Sequence, residues 1–139
     1  MRYVDASVVL EMLFPAGRET LRRDEGGRVV SSELVEVEGF RAIDRARLVG
    51  DLDDAEAARK RKELTDTLTL LDLAPMDRRV IALASSSFGV NVRALDALHA
   101  ATAQLLAHEA AGEPFEFWTH DDRQATAALA RGLTVRGVQ

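Results

Sequence analysis

Cysteine is absent from the 139-residue chain. That removes disulfide frameworks and thiolate metal sites together, so any metal must be held by oxygen or histidine ligands, which favours a hard cation. No apolar run approaches the roughly 18 residues that a membrane span needs, and Met1 leads straight into a short apolar segment with no basic leader or small-residue cleavage site. A cytoplasmic protein is the expectation. Surplus positive charge is missing too. The formal net charge is −5, which argues against a general nucleic-acid coating protein, because non-specific phosphate binding runs on excess Lys and Arg. Lysine is confined to Lys60 and Lys62. Most positive charge is therefore arginine, including Arg18, Arg22, Arg23, Arg41, Arg93 and Arg123, whose planar fork binds two phosphate oxygens at once. A genome biased toward arginine would give the same composition without function. What is present, 47% hydrophobic and 29% charged residues, suffices for one domain with a real core and is too short for two. Residues 1–139 are expected to form a single domain.

Residues 2–4 read as a strand that stops at Asp5, with Ser7 placed to cap a helix carrying Val8, Val9, Leu10, Met12, Leu13 and Phe14 up to Pro15. A second helix is expected over Arg18–Arg23, broken by Gly26-Gly27, then a brief strand at Val29-Val30 followed by Ser31-Ser32 as turn and cap. Glu33 to Val49 has a helical pattern, and Asp51 to Thr67 reads as an exposed helix whose charges form a solvated face. Leu70–Leu73 is an expected strand and Asp77–Ser86 a helix entered after Pro75. Leu95, Leu98, Thr102 and Leu105 recur as one apolar stripe on a long helix from Arg93 to Ala110. Phe115, Phe117 and Trp118 give a strand running into Thr119-His120-Asp121. Asp122 is expected to cap an Ala-rich helix up to Gly132, before a closing strand Leu133–Val135. Short apolar strands alternating with helices predict an α/β fold with a parallel sheet covered on both faces, where ligands bind at the carboxyl ends of the strands.

The acids fall on that rim. Asp5 and Asp121 each follow a strand, Asp96 lies in the first turn of the long helix, and Glu38 lies about one turn into the helix after the second strand. Glu36 and Glu38 are separated by roughly 200° of helical rotation, so only one can face the rim. Each acid also has a bland explanation, since Asp near a helix N-terminus is favourable by itself. His99 and His120 could ligate a metal or be hydrogen-bonded bystanders. Four converging carboxylates repel one another unless a divalent cation sits among them, and an oxygen-only pocket suits Mg²⁺ or Mn²⁺. On that reading Asp96→Asn should raise the melting temperature of the metal-free protein.

Four segments carry a resemblance: Val4-Asp5-Ala6-Ser7; Ser32-Glu33-Leu34-Val35-Glu36-Val37-Glu38 with Arg41-Ala42; Leu95-Asp96-Ala97-Leu98-His99-Ala100-Ala101-Thr102-Ala103; and Thr119-His120-Asp121-Asp122-Arg123. In order and spacing they resemble the motifs of PIN-domain proteins of the VapC toxin type, from one end of the chain to the other. The resemblance implies a three-layer α/β/α fold with a short central parallel sheet and endoribonuclease activity with Mg²⁺ or Mn²⁺. It also implies a homodimer, and inhibition by a cognate small antitoxin that inserts a segment into the acidic cleft of a heterotetramer or larger assembly. It places the family acids on Asp5, Glu38 rather than Glu36, Asp96 and Asp121, with Ser7 and Thr119 as supporting hydroxyls. The doubled acid leaves Asp121 or Asp122 open as the fourth ligand. Arg41, Arg93 and Arg123 would offset charge on the phosphoryl oxygens.

Other readings use the same acids. A metal-dependent phosphatase with an Asp nucleophile would want a second acid two residues on, where Ser7 stands. A DNA-directed nuclease is not separated by sequence. A receiver-like signalling module needs a lysine at a late strand end, and both lysines lie in the exposed helix. An inactive PIN domain is disfavoured because all four expected acids are present.

Overall fold

A computed structural model of the chain describes residues 1–21 and 26–138. The first strand, β1, spans Arg2–Val4, and helix α1 spans Ala6–Leu13. They are followed by β2 (Val29–Ser32), α2 (Leu34–Leu48), α3 (Asp54–Leu68), β3 (Asp72–Ala74) and α4 (Arg78–Ala84). The chain then forms α5 (Ala94–Glu109), β4 (Glu116–Trp118), α6 (Asp122–Ala130) and β5 (Val135–Arg136). The five strands make one sheet in the order β3-β2-β1-β4-β5, with every pairing parallel. The expected α/β fold with a short parallel sheet is what forms.

Alternation along the strands sorts the core into two layers. Val4 and Trp118 point to one face, where they pack with Val8, Val9, Val35, Ile43 and Leu64 from α1, α2 and α3. Tyr3, Val30 and Phe117 point to the other, against Ala103 of α5 and Ala128 of α6. Tyr3 stacks on Phe117 with ring centroids 5.1 Å apart.

Several local expectations shift. Ser31 and Ser32 belong to β2 rather than to a turn, both fully buried, with Ser31 Oγ donating to the Val4 carbonyl at 2.6 Å. β3 begins two residues later than Leu70, because Leu70 and Leu71 close the end of α3 in turns. Arg18–Leu21 are not helical, and the rest of the expected Arg18–Arg23 helix, with Arg22 and Arg23, lies outside the described residues. The leucine stripe of α5 is corrected: Leu95 is 48% exposed, and the buried face is Asp96, Ala97, His99, Ala100, Ala101, Thr102 and Ala103. Small alanines let α5 lie close to the sheet, and Asp96, His99, Ala100 and Ala103 share one side at helical spacing.

α3 is exposed along most of its length, yet Leu64 is fully buried, and its Cδ2 would lie 2.7 Å from a Cβ placed on Gly39 of α2. Leu64→Ala should cost about 2–5 kcal/mol. Adding Gly39→Ala should then return about 1 kcal/mol, since a helix-interior glycine is removed into vacated space. The same change in the wild type should return less, because Leu64 must give way. Urea unfolding of the four proteins measures this coupling.

The chain runs outward from β1 to β2 and β3, then returns to the other side for β4. That reversal opens a crevice at the carboxyl ends of β1 and β4, the position where open parallel sheets bind ligands.

Candidate active site

Asp5 occupies this crevice. It is buried, and it rather than Ser7 is the N-cap of α1, its Oδ1 accepting from the Val8 N–H at 3.2 Å. Ser7 Oγ donates to Oδ1 and Thr119 Oγ1 to Oδ2, both at 2.6 Å. Each hydroxyl in turn accepts a backbone N–H, from His120 at 2.8 Å for Ser7 and from Asp121 at 3.0 Å for Thr119. Those amides fill an acceptor position on each oxygen, which aims the O–H protons at the carboxylate. Burial pushes the Asp5 carboxyl above its ordinary pKa, against the lowering effect of the Ser7 and Thr119 hydrogen bonds.

Glu38 reaches the same crevice from α2. Its Oε1 lies 2.5 Å from His99 Nε2, and His99 Nδ1 lies 2.7 Å from the Tyr3 hydroxyl. Burial raises the Tyr3 hydroxyl well above its ordinary value, so it stays protonated. Sequence alone does not distinguish His99 from a bystander. Its spacing three residues after Asp96 marks it as sharing that face, but nothing in the sequence announces a partner 61 positions away.

Asp96 is 6% exposed and accepts from Arg93 Nε at 3.0 Å. Arg93 Nη2 lies 3.4 Å from Asp121 Oδ2, so one guanidinium bridges two of the acids. The Asp96 hydrogen bond and charge raise the Arg93 pKa further. Asp121, not Asp122, caps α6: its Oδ1 accepts from the Arg123 and Gln124 N–H groups at 2.8 and 3.4 Å. The expected division of labour at the doubled acid is thus corrected. A strand-end residue with extended backbone has its side chain free to turn back on the helix it begins, whereas the next residue is already helical. Gln124 is a site neighbour that the sequence reading misses. It is buried in an alanine-rich helix and donates from Nε2 to the Asp96 carbonyl at 3.0 Å, and a buried amide among alanines is the signal that could have found it.

Asp5, Glu38, Asp96 and Asp121 all line one cavity of about 380 Å³, together with Ser7, Arg93 and His99. Asp122, Arg41 and Arg123 do not line it. Arg41, on the exposed surface of α2, pairs with Asp44 at 3.3 Å. A larger cavity of about 700 Å³ lies elsewhere, and Glu11, which lines it, is committed to the Ala16 and Arg18 N–H groups.

The donor set is chemically right for a hard cation: carboxylate oxygens with hydroxyls behind them. Among the described residues, however, no three acidic or histidine side chains are disposed to hold one ion as they stand. The geometry gives the reason. Asp5 is turned to Ser7 and Thr119, Glu38 to His99, and Asp96 and Asp121 to Arg93. Arg93 supplies the positive charge that lets Asp96 and Asp121 lie near one another.

The PIN domain family model matches residues 2–129. Ribonuclease VapC46 of Mycobacterium tuberculosis (strain ATCC 25618 / H37Rv) is 35% identical over 136 residues, covering 96% of this chain and 94% of that protein. Two solved structures share the fold. One is VapBC2 from Rickettsia felis bound to a DNA fragment from their promoter, with TM-score 0.65, 10% identity and 98% of both chains covered. The other is VapBC-5 from Mycobacterium tuberculosis, a member of the VapBC family of toxin-antitoxin systems, with TM-score 0.58 and 18% identity over 99% of this chain and 96% of that one.

Proposed function

This chain belongs to the PIN domain family and is of the VapC type, and we propose that it is the toxin of a VapBC-type pair, an endoribonuclease hydrolysing RNA phosphodiester bonds with Mg²⁺ or Mn²⁺. The observation that carries this reading is the convergence of Asp5, Glu38, Asp96 and Asp121 on one cavity at the sheet's switch point. We read residues 1–139 as one such domain, cytoplasmic, homodimeric, and held inactive by a small antitoxin in a heterotetramer or larger complex. Among the described residues no helix is long and apolar enough to cross a membrane.

Asp5, Glu38, Asp96 and Asp121 would hold the cation, and it would supply Lewis acidity at the scissile phosphate. The protein's own groups do the positioning. Ser7 and Thr119 fix both oxygens of Asp5, so that carboxylate is set before any ligand arrives. Arg93 lines the cavity, and once freed from Asp96 and Asp121 its fork suits two phosphoryl oxygens. Arg41 and Arg123, outside the wall, would contact phosphates further along the strand.

The direct test is cleavage of defined transfer and ribosomal RNAs with Mg²⁺, with Mn²⁺ and with chelator. Cleavage should vanish on chelation. Activity that survives chelation, and survives both Asp5→Asn and Asp96→Asn, would exclude the site. Binding offers a second check. Arg93→Ala removes a phosphate partner and also leaves Asp96 and Asp121 uncompensated, so it should weaken RNA binding most, Arg41→Ala less and the exposed Arg59→Ala least. The log–log salt slope should flatten by about 0.7 for each phosphate of a single strand that is no longer neutralised. Equal effects at all three positions would show that no arginine patch exists.

A further inference from the structure

A buried polar chain leads from β1 into the wall of the cavity. It runs from the Tyr3 hydroxyl on β1 through both ring nitrogens of His99 on α5 to Glu38 on α2, at 2.7 and 2.5 Å. Tyr3 and His99 are all but inaccessible to solvent, while Glu38 is partly exposed and faces the cavity. A carboxylate only accepts, so the contact between His99 Nε2 and Glu38 calls for the ring proton on Nε2. In the neutral ring Nδ1 is then the acceptor for the Tyr3 hydroxyl. In that tautomer both donors of the chain point toward Glu38.

We infer that Tyr3 and His99 are positioning residues that lock the Glu38 carboxylate in the orientation the cavity requires. A glutamate on an exposed helix face has three rotatable bonds, and ordering it costs side-chain entropy. Here that cost is met on folding, because Glu38 is tied across 61 residues to a ring that is itself fixed by a buried hydroxyl. Asp5 has Ser7 and Thr119 for the same purpose, and Glu38 has His99. Tyr3 is held by stacking on Phe117 and His99 meets it edge-on, so the chain is braced sideways as well.

The inference deepens the nuclease reading and rests on it for the activity measurement alone. The amide nitrogen of Gln overlays imidazole Nε2 and that of Asn overlays Nδ1, so two substitutions of similar bulk separate positioning from packing. His99→Asn should lower RNA cleavage by about 10–100-fold, mostly in kcat since His99 is only 2% exposed, and weaken Mn²⁺ binding to the RNA-free protein by a similar factor. His99→Gln should restore both to within about threefold of wild type. In a Glu38→Gln background His99→Asn should add no further loss. Tyr3→Phe, which preserves volume, should give a loss at the low end of the same range, and serves if His99→Asn does not fold. Equal losses in the Asn and Gln variants with unchanged Mn²⁺ affinity, or losses that simply add to those of Glu38→Gln, would overturn the inference. Nitrogen-15 spectra of histidine-labelled protein decide it without any activity. A proton on His99 Nε2 whose resonance moves on Glu38→Gln supports the relay, and an unprotonated Nε2 rejects it even if RNA cleavage is confirmed.

Discussion

Asp121→Asn and Asp96→Asn should each lower RNA cleavage by at least about 10²-fold, while Asp122→Asn leaves it within about twofold of wild type. The contrast between the adjacent acids is the informative part. Asp121 uses Oδ1 to cap α6 and aims Oδ2 at Arg93, whereas Asp122 is exposed and away from the cavity. Asn caps a helix as well as Asp does, so Asp121→Asn keeps the N-terminus of α6 and deletes only the charge. Asp96→Asn likewise preserves shape, and the Gln124 bond to the Asp96 carbonyl is untouched because it uses the main chain. Loss of activity without loss of fold, read by circular dichroism beside gel-based cleavage, would place the charge itself in the reaction. A strong effect at Asp122 with none at Asp121 would show the last acid to be misassigned.

Much of this site is legible in the sequence because strand ends and helix starts are local features. Asp5 after Val4, Asp121 after Thr119 and Asp96 in the first turn of α5 all announce themselves within a few residues, and a parallel sheet then gathers strand ends on one rim. Glu38 needs the family resemblance, since helical spacing alone separates it from Glu36 without saying which faces inward. What local pattern does not supply is partnership. That Arg93 bridges Asp96 and Asp121, or that His99 joins Tyr3 to Glu38, depends on how α5 is rotated against the sheet. The leucines point to the wrong rotation. Bulk is a guide to the buried face only where there is room for bulk, and α5 packs through alanines. The caps differ from expectation for a related reason: both Asp5 and Asp121 serve the site and the helix at once, so reading one role for each residue moves the cap one or two positions along.

The sequence puts the cost of crowded carboxylates at Asp96; the structure moves it to Asp5, so Asp5→Asn should melt higher than wild type in chelator and lower than wild type in Mg²⁺. Asp96 already has Arg93 beside it. Among the described residues Asp5 is hydrogen-bonded to no cation, and it is buried with its carboxyl pushed above the ordinary range. Asn can be accommodated: its oxygen still accepts from Ser7 and Val8, and one amide N–H donates to Thr119 Oγ1, whose own proton turns toward the Asp121 carbonyl. The gain in chelator should be about 0.5–2 kcal/mol, the scale of one close charge interaction at an effective dielectric near 20 with water in an open cleft. Because the folded protein holds a proton on Asp5 more tightly than the unfolded chain does, the chelated wild type should lose stability as pH rises from the ordinary carboxylate range through the raised pKa of Asp5. Asp5→Asn should remove that slope. Glu11 and Asp77 work in the opposite sense at lower pH, their carboxyls held below the ordinary range chiefly by the Arg18 and Val80 N–H groups, so their contribution is lost as pH falls through those lowered values. Mg²⁺ at 100 times its Kd should stabilise the wild type by about 2.7 kcal/mol, because it binds the folded state alone, and should do little for a variant missing a ligand. If Asp5 were only a helix cap, Asn would replace it with no difference in either condition and no change in the pH slope; coincident melts of the two proteins across pH, with and without Mg²⁺, would place the cation elsewhere.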